Sequence, residues 1–207
     1  MKSTIRFCKD IGMFAYDRSR EFSCIYKTIF CEQTCFNNKL EKAFGHAIEP
    51  KDIRNDAYWL ILNGRLVKKD LARKRNQTKR VRLMTRGESF KNMEDVRKVR
   101  DILIKNPDTI FWIPTRAWRD NALRLALIGL KTFPNARIMA SIDPTTSAFE
   151  IVLLKEMGFS TMYYGDDNAT QNRYKCPKTH NHATGHCAKC IKGCFSKERV
   201  DVHLKQH

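Results

Sequence analysis

The sequence predicts an α/β fold in which strand-helix repeats build a parallel sheet between cysteine-rich, metal-binding ends. Two observations carry this prediction. Short apolar runs alternate with segments of helical periodicity from residue 81 to residue 164. All eight cysteines lie outside that region, four before it and four after it. Repeated strand-helix units form parallel sheets, so we expect a sheet that is either open or curled into a partial barrel.

The individual elements follow from local signals along the chain. Residues 93–105 place apolar side chains at positions 93, 96, 99, 102 and 103, which lie on one helix face. Asn106-Pro107 ends that helix, and Gly158 ends the last predicted helix. The predicted helices are residues 56–75, 93–105, 118–132 and 146–157, and the predicted strands are residues 4–7, 81–85, 110–114, 137–142 and 160–164.

We expect one domain of residues 1–207, because a chain of this length buries a core of its own. Within it, residues 1–45 form an N-terminal cysteine loop, residues 46–165 the α/β scaffold and residues 166–207 a C-terminal cysteine-rich metal-binding tail. The sequence has no uncharged apolar stretch of about 18 residues and no signal-peptide core at its amino terminus. These features predict a cytoplasmic protein with no membrane partner, in which reduced cysteines bind metal or do redox chemistry.

The charge balance points to a polyanionic partner. The chain has 39 lysines and arginines against 22 acidic residues, a formal net charge of +17. Such an excess attracts nucleic acid, either DNA or RNA, as the first predicted partner and an acidic protein as the second. A role in solubility alone is the remaining alternative.

One stretch concentrates this charge. Between residues 65 and 82 a single acid, Asp70, faces nine basic residues. A solvated helix face usually mixes signs, whereas phosphate contacts need cations on flexible stems. The predicted nucleic-acid-binding residues are Arg65, Lys68, Lys69, Arg73, Lys74, Arg75, Lys79, Arg80 and Arg82.

Polar residues recur where the predicted strands end. In parallel sheets the chemistry lies at the carboxyl ends of the strands. Arg86, Glu88, Arg116 and Asp143 occupy these positions and are the candidate catalytic residues, which would hold a substrate or cofactor. The alternative is that they belong to solvated loops, with Asp143 as a helix cap.

The C-terminal cysteines form the strongest local motif. Cys187, Cys190 and Cys194 follow one another closely, and Cys176 reaches the same centre from a nearby loop. Four thiolates suit either zinc or an iron-sulfur cluster, and the tight run resembles ferredoxin-type ligation. Histidines near this motif leave a mixed zinc site open as an alternative. They are His180, His182, His186 and His203.

The N-terminal cysteines suggest a second site. Cys24, Cys31 and Cys35 have six and three intervening residues, and Cys8 lies farther upstream. Three thiolates on one loop can bind a cluster with an open coordination position, which a reactive cluster needs. The alternatives are that Cys8 closes the site and makes it structural, or that the cysteines pack as free thiols.

Several segments together resemble the bacteriophage gene product 88 family. They are the Cys-Ile-Tyr-Lys-Thr-Ile-Phe-Cys-Glu-Gln-Thr-Cys-Phe loop at residues 24–36, the strand end at residues 86–90, Pro107 with residues 111–116, residues 140–143, and the closing Cys-Pro and Cys-Ala-Lys-Cys segments. The chain departs from the family pattern at Phe36 and at Gly87-Glu88. The resemblance implies a phage origin and a cysteine-ligated iron-sulfur cluster, of the four-iron four-sulfur type, with no particular reaction.

A weaker likeness is to radical S-adenosylmethionine enzymes. These have a three-cysteine loop after the first strand, a Gly-Glu element after the second, and a partial barrel. Here the loop of Cys24, Cys31 and Cys35 follows the predicted strand at residues 4–7, and Gly87-Glu88 ends a later strand. The usual loop has three and then two intervening residues, so the spacing differs. This likeness implies S-adenosylmethionine as a cofactor.

Three functions follow from these features. The first is a phage iron-sulfur protein that binds nucleic acid, or a nucleic-acid machine of the host, through its basic surface. The second is a radical-type iron-sulfur enzyme that acts at the carboxyl ends of the strands. The third is a host-takeover protein in which zinc stabilises the fold and the basic surface binds an acidic host protein.

Overall fold

An open, mostly parallel sheet of eight strands is the frame of the molecule. The structure is a computed structural model and describes residues 5–35, 37–59, 61–72, 79–166, 173–181 and 186–206. The strands are β1 (Arg6–Cys8), β2 (Met13–Tyr16), β3 (Arg80–Leu83), β4 (Ile110–Thr115), β5 (Ala136–Ile142), β6 (Ser160–Gly165), β7 (Tyr174–Lys175) and β8 (Val202–Lys205). Their spatial order is β1-β2-β3-β4-β5-β6-β8-β7. β1 pairs antiparallel with β2 and all the other pairs are parallel, which confirms the predicted fold class.

The helices connect these strands. They are α1 (Arg20–Ser23), α2 (Ile29–Thr34), α3 (Asn37–Trp59), α4 (Gly64–Leu71), α5 (Met93–Lys105), α6 (Asn121–Lys131), α7 (Ala148–Glu156), α8 (Pro177–His180) and α9 (His186–Lys189). Within the described residues, short 3-10 turns lie at Ala117–Arg119 and Gly193–Phe195. None of the described helices is long and apolar enough to cross a bilayer.

The main core lies between the helices and one face of the sheet. Side chains alternate along each strand, so Phe111 and Ile113 of β4 point to this core while Trp112 points to the opposite face. From α5, Val96, Val99, Ile102 and Leu103 are buried there, as the helical periodicity predicted. Met93, which the same periodicity placed on this face, is exposed.

The tail packs on the second face of the sheet. Trp112, Met139 and Met162 of the sheet pack against Phe195 and Val202 of the tail. Cys8, Cys176, Cys187 and Cys194 are partly buried against the same cluster. The fold therefore brings the tail cysteines beneath this face of the sheet.

The predicted long helix at residues 56–75 is wrong. α3 ends at Trp59, and α4 begins at Gly64. The backbone N–H of Gly64 donates to Asp101 of α5, and a Cβ at this glycine would lie 2.6 Å from the Asp101 carbonyl oxygen. This close approach to α5 fixes where the chain turns.

The predicted helix at residues 118–132 begins later than expected. The chain first makes the 3-10 turn at Ala117–Arg119, and Asp120 then caps α6 by accepting a hydrogen bond from the backbone N–H of Leu123 at 2.9 Å. The Trp118 ring is buried in the turn and donates to the Ser141 carbonyl, which holds the turn against β5.

One strand was misplaced and three were missed. The first strand runs over Arg6–Cys8 and not over residues 4–7, and the cysteine loop follows β2, which was not predicted. The tail supplies β7 and β8, although it has few large apolar residues. β8 is inserted between β6 and β7, where Val202 and His203 are buried.

Candidate functional site

A cavity of about 260 Å³ opens at the carboxyl ends of the parallel strands. Residues after β3 and at the ends of β4, β5 and β6 line it, among them Glu88, Thr115 and Ser141. Cysteines from both ends of the chain also line it. They are Cys24, Cys31 and Cys35 from the loop after β2, and Cys176 and Cys187 from the tail.

Hydrogen bonds anchor the loop after β2 above the strand ends. The Thr28 hydroxyl caps α2 by accepting from the Cys31 backbone N–H at 3.0 Å and donates to the Asp143 carboxylate at 2.6 Å. The Tyr164 hydroxyl, at the end of β6, donates to the Thr34 carbonyl at 2.7 Å. The loop therefore holds Cys31 at the mouth of the cavity.

The three N-terminal thiols form one electrostatic group. Burial, together with the nearby Glu88 and Cys31, raises the pKa of the Cys24 thiol to about 12. Burial also raises the pKa of Cys31, while the Arg116 guanidinium opposes that shift. Asn37 donates a long hydrogen bond to the Cys35 sulfur at 3.8 Å. Without metal, the buried thiols of Cys24 and Cys31 are therefore protonated at neutral pH.

Glu88 is buried beneath this loop and links β3 to β4. One carboxylate oxygen accepts from the backbone N–H of Ser89 at 2.7 Å and from the Thr115 hydroxyl at 2.8 Å. The other accepts from the backbone N–H of Arg116 at 2.8 Å. Burial raises the pKa of Glu88, and these hydrogen bonds oppose the shift. Glu88 thus positions the cavity wall.

Gly87 permits this arrangement. Its φ is +82°, in the left-handed region that favours glycine. A Cβ would lie 2.7 Å from both the Arg18 carbonyl oxygen and the Ser23 hydroxyl. The close approach brings the strand end against the segment that leads into Cys24.

The other candidate catalytic residues form ion pairs around the cavity. Arg116 lines it and pairs with Asp143 at 2.5 Å. Burial opposes ionisation of Asp143, but hydrogen bonds from Thr145 and Thr28 and the charge of Arg116 lower its pKa. Arg86 makes two hydrogen bonds to Asp52 of α3, at 2.7 and 2.8 Å. Arg86 and Asp143 do not line the cavity. They support its walls from behind.

The tail brings its four cysteines together. Burial raises the pKa of Cys194 well above its ordinary value, and Cys176 and Cys187 add to the shift. Burial raises the pKa of Cys187 to about 11, and the nearby Cys176 adds to this shift. The Cys190 thiol lies 2.9 Å from the Lys192 carbonyl oxygen, to which it donates. Of the four tail cysteines, Cys176 and Cys187 line the same cavity as the N-terminal three.

The structure places Cys8 with the tail. Cys8 lies on β1, opposite Met13 of β2. It packs against the same cluster as Cys176, Cys187 and Cys194. The N-terminal group therefore consists of Cys24, Cys31 and Cys35.

The histidines near the tail cysteines were the alternative zinc ligands. His203 is buried on β8 with Nε2 at 3.0 Å from the Gly165 carbonyl oxygen, and its ring lies 4.7 Å from that of His180. His182 and the side chain of His186 lie outside the described part of the chain.

Across the described ranges, no three His, Cys, Asp or Glu side chains form a ready-made site for one metal ion. All eight cysteines are free thiols, and each is partly buried.

Two cations of the basic stretch turn toward the tail cysteines. The Arg80 Nη1 donates to the carbonyl oxygens of Cys187 and Ala188 at 3.1 Å and of Cys190 at 2.7 Å. The Arg82 guanidinium lies 4.4 Å above the Trp112 ring and lines the cavity. Neither arginine has a carboxylate within ion-pair distance among the residues that the structure describes. The excess of positive charge in this stretch did not predict that Arg80 and Arg82 turn toward the tail. The alternation Arg-Val-Arg-Leu does place both arginines on one face of β3.

The rest of the basic stretch is only partly described. Arg65 and Lys68 are exposed on α4, and Lys79 is exposed before β3. Arg73, Lys74 and Arg75 lie outside the described residues, as does the side chain of Lys69.

One family matches most of the chain. The family model described as Gene product 88 matches residues 9–200. No curated protein and no solved structure matches the chain. The match spans the N-terminal cysteine loop, the strand ends and the tail cysteines, so the chain belongs to the phage gene product 88 family.

Proposed function

We propose that this protein is an iron-sulfur enzyme of the radical type, with its reactive cluster on Cys24, Cys31 and Cys35. The observation that carries the proposal is that these three thiols line one cavity at the carboxyl ends of the strands. Three thiolates leave one iron of a four-iron cluster without a protein ligand. When bound, such a cluster supplies the electron that cleaves S-adenosylmethionine reductively.

The topology supports this proposal. The cysteine loop follows β2, and Gly87-Glu88 follows β3, its parallel neighbour. The two elements therefore lie side by side, as in the enzymes that the sequence resembles. The cysteine spacing differs, but the loop reaches the cavity because Thr28 and Thr34 anchor α2 to the strand ends.

The residues of the chain have separate tasks in this proposal. Arg116 lies beside Cys31 and favours its thiolate form, which metal binding requires. Met84, Trp112 and Met162 give the cavity apolar walls that exclude water. Glu88 holds the ends of β3 and β4 in register beneath the loop.

The tail cysteines are proposed to hold a second, anionic metal-thiolate centre. Burying a cation without a counter-charge is costly. Arg80 and Arg82 carry such charges beside Cys187, and ionised thiolates would balance them. Both an iron-sulfur cluster and zinc with four thiolates are anionic, so this argument favours a metal centre without selecting the metal.

The test is anaerobic isolation followed by iron and sulfide analysis and an assay for 5′-deoxyadenosine from S-adenosylmethionine. The native protein should contain iron and sulfide and release 5′-deoxyadenosine under reducing conditions. The variant C24A/C31A/C35A should lose this activity together with the iron and sulfide of the N-terminal cluster. The variant C176A/C187A/C190A/C194A should lose the tail metal and keep the N-terminal cluster. Stoichiometric zinc without sulfide would contradict the proposal and favour the zinc-stabilised, host-binding alternative.

Nucleic-acid binding is the second candidate function. The net charge of +17 and the exposed cations Arg65, Lys68 and Lys79 favour it. Binding through phosphates would weaken steeply with salt, with a log-log slope of about 0.9 per phosphate on duplex DNA. Reversing Arg65 and Lys68 to glutamate should lower both the affinity and this slope. Unchanged binding by R65E/K68E would remove α4 from the interface.

A further inference from the structure

A second cavity, of about 380 Å³, lies at the opposite end of the sheet from the cysteine loop. It is bounded by the start of β5, the start of β6 and the tail segment around Ser196. The amino-terminal ends of parallel strands meet here, far from the strand ends that carry Glu88 and Arg116.

Four cations line this cavity. They are Lys131, Arg137, Lys197 and Arg199, and Glu198 is the one acid among the described lining residues. None of the four cations has a carboxylate within ion-pair distance in the described part of the chain. The nearby Asp201 is already paired with Lys155 at 3.4 Å.

Backbone carbonyl oxygens hold three of these cations in place. Lys131 donates to the carbonyls of Met157 and Gly158. Arg137 donates to Pro134 and Ala136 at 2.8 Å each and to Phe195 at 3.4 Å. Arg199 donates to the Lys155 carbonyl at 2.8 Å. Carbonyl dipoles orient the cations but carry no net charge, so the positive charge of the cavity stays uncompensated.

This arrangement is costly without an anion. Burial lowers the pKa of Lys131, and the positive charge of Arg199 lowers it further. Burial also lowers the pKa of Arg137. Both shifts have the direction expected where cations repel one another or lose water without gaining a counter-charge. A bound anion would relieve both effects.

The chemistry of the lining selects the kind of anion. Lys197 and Arg199 are exposed at the rim, and Lys197 has no hydrogen-bond or ion-pair partner among the described residues. Lysine and arginine together, with the serine hydroxyls of Ser160 and Ser196 beside them, suit the several oxygens of a phosphate group.

We propose that this cavity is a phosphate-binding site, formed by Lys131, Arg137, Lys197 and Arg199. The phosphate belongs either to a free phosphorylated small molecule or to the backbone of a nucleic acid. The site is separate from the cysteine-lined cavity and from the cations of α4, so it does not depend on the proposed enzymatic function.

The test uses pyrophosphate and a single-stranded oligodeoxynucleotide as probes for the full-length protein. K197E/R199E should weaken binding of the responsive probe by about tenfold to a hundredfold for each cation, since a hydrogen bond to a charged group contributes about 1.5–3 kcal/mol. Both residues are exposed, so the fold should survive, and K197Q/R199Q provides a milder second variant. R97E/R100E is the matched control, because it changes the net charge equally on exposed positions of α5.

The outcomes separate the alternatives. If the protein binds pyrophosphate but not the oligonucleotide, the ligand is a small phosphorylated molecule. If it binds the oligonucleotide and pyrophosphate competes, the ligand is a nucleic-acid backbone. The proposal is overturned if the native protein binds neither probe, if K197E/R199E binds as the native protein does, or if R97E/R100E loses as much affinity as K197E/R199E. If R65E/K68E loses affinity and K197E/R199E does not, the phosphate contacts lie on α4 and the proposal is overturned as well.

Discussion

Replacing Gly87 with alanine tests whether the strand end holds the N-terminal cysteine loop. Gly87 has a φ of +82°, and an added Cβ would meet the Arg18 carbonyl oxygen and the Ser23 hydroxyl at 2.7 Å. The left-handed conformation costs about 1–2 kcal/mol for a residue with a Cβ. Crowding adds about 1–3 kcal/mol. We therefore expect G87A to lower the free energy of unfolding by about 2–5 kcal/mol.

The same substitution should disturb the candidate cluster site. Arg18 and Ser23 lie just before Cys24, so a displaced strand end would move this segment and reduce iron incorporation at the N-terminal cysteines. Urea unfolding gives the stability, and iron analysis of the protein lacking the tail cysteines gives the occupancy.

Gly129 supplies the control for this experiment. It lies within α6, and a Cβ added there would meet no neighbouring atom within 4 Å, so alanine should fit. We expect G129A to raise the free energy of unfolding by about 0.5–1 kcal/mol, because alanine favours helices over glycine. If G87A matched the native protein in stability and iron content, the argument from the close approach at Gly87 would be refuted.

Three further predictions follow from the ion pairs and the tail. R86M should lower the free energy of unfolding by about 3–5 kcal/mol in urea titrations, since it leaves Asp52 buried without its partner; an R97M control should change it by less than about 0.5 kcal/mol. Burial opposes ionisation of Asp17, but the charges of Arg6 and Arg86 lower the pKa of this carboxylate. The ionised Asp17 therefore stabilises the fold above the ordinary carboxylate pKa, and this stabilisation is lost as the pH falls through the lowered pKa. D17N should therefore flatten the acid limb of stability measured between about pH 5 and pH 2, and an unchanged limb would contradict this assignment. C190S should lose the tail metal and make the tail sensitive to limited proteolysis while a core of residues 81–164 persists, and a fully protected, metal-free variant would count against a stabilising metal.

Local periodicity predicted the parts of the fold that depend on neighbouring residues. The helix at residues 93–105 was predicted at its observed bounds, because its apolar face and its stop signal both lie within the segment. The break before α4 was missed because it depends on the contact of Gly64 with α5, which sequence spacing does not reveal. β8 was missed because Val-His-Leu-Lys is short and mixed, and only its place beside β6 makes it a strand.

The candidate site was predictable in its residues but not in its assembly. The spacing of the cysteines suggested two groups, and the strand-end positions of Glu88 and Arg116 suggested a shared edge of the sheet. The sheet order decides that cysteines from both groups line one cavity, because β8 lies between β6 and β7 and brings the tail back to the sheet. The orientation of Arg80 and Arg82 toward the tail likewise depends on long-range packing.

Electron paramagnetic resonance of the reduced, tail-deficient variant C176A/C187A/C190A/C194A tests the central claim most directly. If Cys24, Cys31 and Cys35 hold a cluster that faces the cavity, this variant should give a cluster signal that changes when S-adenosylmethionine is added. A variant that contains no iron and no sulfide, or a cluster signal that S-adenosylmethionine leaves unchanged, would contradict the account.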